Sequence, residues 1–235
     1  VKGQLDLPAG HLASFPDLPL TEILTRSPEA FQGYVQSLDA LVSRRPGENF
    51  FSLFENAIEQ DTTFAWAAYT YANLLHAYQR QGSQLRRYLD LAMDHIGRMP
   101  DFYAIYVRQL DYKVKGEDEK ALQLLQLMTE MEPNNTSHWA QRITEAYSQN
   151  KFEACLQAIR QSRELGQPLS FQQILEAKCL LWLEKADEGL ELMEQYTRQN
   201  PEDQQGLLLK GQLLLAKGNL AEARELFQRG SLRFG

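Results

Sequence analysis

Cysteine is nearly absent: 235 residues hold only Cys155 and Cys179. Their separation is far wider than the short spacings of zinc and redox motifs, which removes both chemistries from consideration. Two buried, reduced thiols are expected, with a bridge between adjacent helices as the alternative. Cysteine usage therefore leaves the compartment open between cytoplasm and periplasm. Histidine is as sparse, with His11, His76, His95 and His138 scattered beyond ligand spacing, so neither a metal nor a cofactor is expected. No apolar run reaches the roughly eighteen residues a membrane span requires, and no signal-peptide pattern opens the chain. Glycine-rich phosphate loops, His-Glu-x-x-His pairs and Gly-x-Ser-x-Gly elbows are missing too, so no catalytic residue is assigned. Carboxylates are plentiful, but Glu117, Asp118 and Glu119 read as the solvated charge of a turn. The expectation is a non-enzyme.

Positive charge is also in short supply. The net charge is −7 and the pI about 5.2, which disfavours direct contact with a nucleic-acid backbone or an anionic membrane. Hydrophobic residues nevertheless make up 43% of the chain and charged ones 23%, the balance of a folded domain rather than a solvated tail. The core must then come from something other than a motif.

What the chain does contain is a period. Gly82, Gly116 and Gly218 are separated by 34 and 102 residues, and 102 is three times 34. Tyr78 and Tyr112 are 34 apart, Ala121 and Ala223 are 102 apart, and Pro133 and Pro201 are 68 apart. Pro100 falls one residue off the same comb. Between Pro133 and Pro201 apolar residues recur at helical spacing with no strand-like alternation. Glycine after the first helix of a unit can take the left-handed conformation that ends a helix, and proline stops the second.

This spacing resembles the tetratricopeptide repeat, a 34-residue helix–turn–helix. In that register Trp139 fills the fourth position and Gly211 the eighth, with Tyr78 and Tyr112 at the eleventh. Gly82, Gly116 and Gly218 fill the fifteenth, and Ala121, Cys155, Gly189 and Ala223 the twentieth. Phe227 takes the twenty-fourth, and Pro133 and Pro201 the thirty-second. The resemblance implies an all-α fold, a right-handed α-α superhelix of stacked units at about 31–67, 68–101, 102–135, 136–169, 170–203 and 204–235. Three additional residues ahead of 68 suggest a longer first helix at "FAWAAYTYANLLHAYQRQG", and "RRPGEN" at 44–49 substitutes for the first unit's inter-helix glycine. Arg87, Leu75 and Ile143 depart from the family by standing at normally small positions.

The resemblance further implies binding of a protein or peptide in a groove lined by first helices at the second, fifth, ninth and twelfth positions. Those are Tyr69, Ala72, His76 and Gln79; Tyr103, Tyr106, Leu110 and Lys113; Ser137, Ala140, Thr144 and Tyr147; and Phe171, Ile174, Lys178 and Leu181. Asn73, Arg108 and Trp182 neighbour them. Aromatic anchors beside a few cations suit an extended peptide with apolar side chains and an acidic group. For each aromatic, packing between helices is the competing role. The Lys/Asn clamp by which some relatives hold a C-terminal carboxylate is not reproduced, because Ala72, His76, Tyr106 and Leu110 occupy its positions.

"LTRSPEAFQGYVQSLDALV" and "FENAIEQDTTFAWAAY" are also similar to the entry into repeat regions of bacterial signalling proteins, winged-helix transcription activators and Ser/Thr kinases among them. With a first residue that is Val1 rather than Met, this suggests the C-terminal sensory or assembly part of a larger regulator. Residues 1–30, with Pro8, Pro16, Pro19 and Pro28, read as an extended segment or linker, or as a strip lying in the groove in place of a ligand. "NNTS" at 134–137 formally matches a glycosylation acceptor but is expected to be the polar loop after a repeat proline. At the other end "GLLLKGQLLLAKG" places leucines around one helix. A helix apolar on all sides should be buried, so a neighbouring segment or a second copy, forming a homodimer through the C-terminal repeat, is expected to cover it.

Overall fold

A computed structural model describes residues 24–43, 49–80, 82–166 and 171–234, with side chains as far as 228. Most of the N-terminal segment and of the turn expected at 44–49 lies outside the described residues. Among the described residues there are twelve α-helices and no strand. They are α1 (Pro28–Ser43), α2 (Phe50–Gln60), α3 (Ala65–Ala77), α4 (Ser83–Asp94), α5 (Asp101–Lys115) and α6 (Asp118–Met131). Then follow α7 (Thr136–Ser148), α8 (Phe152–Glu164), α9 (Gln172–Trp182), α10 (Ala186–Gln199), α11 (Gln204–Ala216) and α12 (Leu220–Phe234). Sequence chemistry sets several starts. Asn49, Asn135 and Asp203 each accept a hydrogen bond from the amide two residues on, which satisfies a backbone donor that a helix start leaves orphaned.

The helices form two compact units that divide at Ala121 and Leu122. In the first, α1 packs on α2 and α3 on α4. Phe54, Phe64, Tyr71, Leu75 and Leu89 are fully buried there. Small residues permit the close approach: a Cβ on Gly33 would stand 3.1 Å from that of Ala57. The second unit pairs α7 with α8, α9 with α10 and α11 with α12. Trp139, Ile143, Cys155, Ile159 and Cys179 centre one core, and Ala177, Met193, Leu213 and Ala223 another. The cysteines are both buried and unbridged. Contact with Cys179, then burial, pushes the Cys155 thiol up, so it stays protonated.

The period is written most clearly in the backbone. Gly116, Asn150, Glu184 and Gly218 are all left-handed, with φ of 74°, 56°, 58° and 85°, and each lies 34 residues from the next. Each follows a first helix and closes it the same way. Its own amide donates to the carbonyl three residues back, and the next amide reaches the carbonyl five back, as in Lys151 N to Ala146 O and Lys185 N to Leu180 O. This is the Schellman arrangement, which satisfies carbonyls a helix end leaves orphaned.

After α3 the left-handed residue is Gln79, with φ of 55°; Gly82 is extended, with φ of 164°. Gly82 therefore does not hold the turn position expected of it. Helix α3 has 13 residues, the same as α7, so the longer first helix does not form either. Gln79 and Gly116 are 37 residues apart, which places the three additional residues after α3. They fall around α4, where a short 3₁₀ turn spans Ile96–Arg98. The shift makes Ala72, not Leu75, the small residue of its helix. It also turns Tyr78 outward, 50% exposed, where a packed tyrosine was expected.

Helix α11 is not wholly buried. Leu209, Leu213 and Leu214 are covered, whereas Leu208 and Leu215 are 53% and 46% exposed. Helices α9, α10 and α12 pack around α11 and leave that one stripe open.

Candidate functional site

Counted from its left-handed turn, α3 carries Trp66, Tyr69, Asn73 and His76 at the groove positions of a repeat. Spacings of three and four put these four on one face. Helix α5 presents Tyr103, Tyr106, Leu110 and Lys113 in the same way. The rings show that the two faces meet: Trp66 and Tyr103 are edge-on at 4.6 Å, and Tyr69 and Tyr106 are 6.3 Å apart. Trp66 also lies 5.0 Å from Tyr69, and Phe102 packs edge-on against Tyr106 at 5.2 Å. Offset and edge-on contacts suit the ring quadrupoles and fix the rings as a shared surface.

Within this cluster exposure differs. Tyr103 is 37% exposed and Tyr69 only 8%, while Trp66 and Tyr106 are half-buried and Asn73 is exposed. Burial, then the neighbouring Tyr106, pushes the Tyr69 phenol well above its usual range, so it remains neutral. His76 and Lys113 are half-buried. Arg108 is half-buried as well, but it stands two residues past Tyr106 and so on another face of α5. Ala72 is fully buried and Leu110 nearly so. Gln79 forms the turn. These three do not stand on the face expected of them, and Trp66, which the sequence register passed over, shares the α3 face with Tyr69 and Asn73. The Lys/Asn clamp is still not reproduced, because Tyr69 stands where its lysine would.

The second unit carries its own aromatic patch. Trp182 is 65% exposed and stacks on Phe152 at 5.9 Å with the planes 4° apart. Tyr147 also meets Phe152, tilted at 5.8 Å. Phe152, at the start of α8, thus joins Tyr147 on α7 to Trp182 on α9. Phe171, Lys178 and Trp182 follow at spacings of seven and four along α9. Lys178 is half-buried and makes no ion pair among the described residues.

Among the described residues no cluster of His, Cys, Asp and Glu could hold a metal ion, and no helix is long and apolar enough to cross a membrane. Nothing in either aromatic patch supplies a nucleophile with an adjacent base.

The sequence profile of the tetratricopeptide repeat matches residues 175–231. Among solved structures, the chain is similar to a tetratricopeptide repeat protein from Parabacteroides merdae, at a TM-score of 0.62 and 12% identity over 86% of this chain and 79% of that one. It is also similar to YrrB, described as a TPR protein with an unusual peptide-binding site, at a TM-score of 0.54 and 20% identity over 75% and 90% of the two chains. MamA from Desulfovibrio magneticus RS-1 matches at a TM-score of 0.54 and 16% identity, over 73% and 94%. At these identities the likeness is one of fold. No curated protein matches the chain.

Proposed function

From the tetratricopeptide-repeat match over residues 175–231 and the likeness in fold to tetratricopeptide-repeat proteins, we propose that this chain is a non-catalytic interaction module that binds an extended peptide or protein segment. The observation that carries this reading is the aromatic face shared by α3 and α5. Trp66, Tyr69, Tyr103 and Tyr106 are held against one another, with Tyr103 open to solvent and Asn73 exposed one turn beyond Tyr69. Rigid aromatics at low entropic cost are the usual anchors of an interface. An exposed amide beside them can bond the backbone of an extended chain. Asn73, His76 and Lys113 would orient the segment, and the second patch, with Tyr147, Phe171, Lys178 and Trp182, offers aromatic and cationic contacts of the same kind. YrrB, whose fold this chain shares, is described as peptide-binding, in keeping with this reading.

Selection of a displayed peptide library on the intact chain tests it. Enriched peptides should carry apolar side chains and an acidic group. Tyr103→Ala should weaken them roughly tenfold, the scale of an interface anchor, without loss of helicity. Enriched peptides indifferent to both Tyr103→Ala and Trp182→Ala would refute the assignment.

A second reading, assembly through the C-terminal helix pair, is favoured by the exposure of Leu208, Leu215 and Leu220 at 53%, 46% and 65%. It requires a homodimer in sedimentation equilibrium that Leu208→Ser with Leu215→Ser dissociates. A monomer at all concentrations would remove it.

A further inference from the structure

Arg142, on α7, is 7% exposed; its guanidinium hydrogen-bonds to neutral groups, while the Glu130 carboxylate acts on it through space without an ion-pair contact. Its Nη1 donates to Thr129 Oγ1 at 3.0 Å and to Gln161 Oε1 at 3.3 Å. No carboxylate pairs with it among the described residues. The contrast within the same unit is informative. One repeat later the equivalent position is Glu176, whose charge is met by Arg163 at 2.5 Å. An enclosed charge is expensive unless it is paired, and arginine cannot shed its proton to escape that cost.

The guanidinium lines a cavity of about 330 Å³ bounded by α6, α7 and α8. That volume is at the small end of the range for ligand pockets. Its walls divide by chemistry. Glu130 and Glu164, both exposed, line it with carboxylates, and Glu130 is engaged by the Gln126 amide at 2.9 Å instead of by Arg142. Trp139, Pro133 and Leu165 supply an apolar side. A simple anion would meet Arg142 but also two carboxylates, and a simple cation would meet the reverse. A ligand that carries both charges satisfies both groups.

We propose that this cavity binds a small zwitterion of the α-amino-acid type with an apolar side chain. The carboxylate takes the free guanidinium donors of Arg142, the ammonium turns toward Glu130 and Glu164, and the side chain rests against Trp139 and Leu165. The residues involved belong to neither aromatic patch, so the site is separate from the peptide-binding reading and does not depend on it.

Calorimetry on the intact chain tests the proposal with leucine and phenylalanine as probes, and with leucinamide, 4-methylpentanoate and inorganic phosphate as controls. Trp139 adds a fluorescence readout at the cavity wall. One of the two amino acids should bind saturably with a dissociation constant below about 10 mM. Leucinamide, which lacks the carboxylate, and 4-methylpentanoate, which lacks the ammonium, should bind about tenfold more weakly or worse, the worth of one charge-assisted contact. Arg142→Lys should cost at least about tenfold. Glu164→Gln, on an exposed residue that folding does not need, should weaken the amino acid several-fold without weakening 4-methylpentanoate. If Arg142→Lys fails to fold, Glu164→Gln and the ligand analogues decide the matter. Absence of saturable binding, tighter binding of phosphate or 4-methylpentanoate than of either amino acid, or affinity unchanged in Glu164→Gln would each overturn the proposal.

Discussion

Replacing Glu184 by glycine should make this protein more stable, although it removes a whole side chain. Glu184 follows α9 with φ of 58°. For an L-residue with a Cβ the left-handed conformation costs roughly 1–2 kcal/mol. Glycine relieves that strain but loses more chain entropy on folding, roughly 0.5–1 kcal/mol. The exposed Glu184 side chain makes no hydrogen bond or ion pair among the described residues, so no contact is forfeited. The turn's own bonds stay, Glu184 N to Leu181 O at 3.2 Å and Lys185 N to Leu180 O at 2.8 Å. The net gain is then roughly 0–1.5 kcal/mol, centred near 0.75. Urea denaturation followed by circular dichroism should show a higher midpoint at unchanged slope. Asn150→Gly should gain less, since asparagine tolerates the left-handed region better. Destabilisation by Glu184→Gly, or a larger gain at Asn150, would refute the turn assignment on which the 34-residue comb rests.

Two other perturbations probe packing and charge. Gly211→Ala should destabilise by about 1–3 kcal/mol through overpacking, because the new Cβ would lie 2.3 Å from the Phe227 ring; an unchanged melting midpoint would count against the α11–α12 packing. Burial works against ionisation of Asp61, but hydrogen bonds from Thr25 and Thr63 and the charge of Arg98 outweigh it and hold the carboxyl below its usual range. Its stabilisation is therefore present above the unfolded-state value near 4 and lost as pH falls through the folded one. Asp61→Asn should flatten the fall in stability between about pH 5 and pH 2; an equally steep fall in the variant would place the acid sensitivity elsewhere.

The fold was legible because glycine marks a left-handed turn, and Gly116 and Gly218 sit where the chain needs one. Asn150 and Glu184 hold the same backbone without that mark, and so the comb looked sparser in sequence than it is. Gly82 misled for the converse reason. A glycine near the turn drew the register to itself, while the left-handed residue was Gln79, three positions earlier. That slip hid Trp66 and promoted the buried Ala72. A signal was available: Trp66 and Tyr69 anticipate Tyr103 and Tyr106 at a constant distance of 37 residues. Tyr103, Tyr106 and Tyr147 could be picked out as candidates because the 34-residue register counted from Gly116 and Gly218 is the one the backbone follows, whereas Trp182 entered only as a neighbour of those positions. The cavity beside Arg142 had no sequence signature. Its parts come from three helices, and a lone arginine inside a repeat gives no hint that its neighbours will be neutral.

The most direct test of the central claim, that the α3–α5 aromatic face is a docking surface, is hydrogen exchange of the chain with and without a selected peptide. The account predicts slowed exchange concentrated in Ala65–Ala77 and Asp101–Lys115, and its disappearance in Tyr103→Ala. A bound peptide that leaves both helices unchanged while protecting other segments would contradict it.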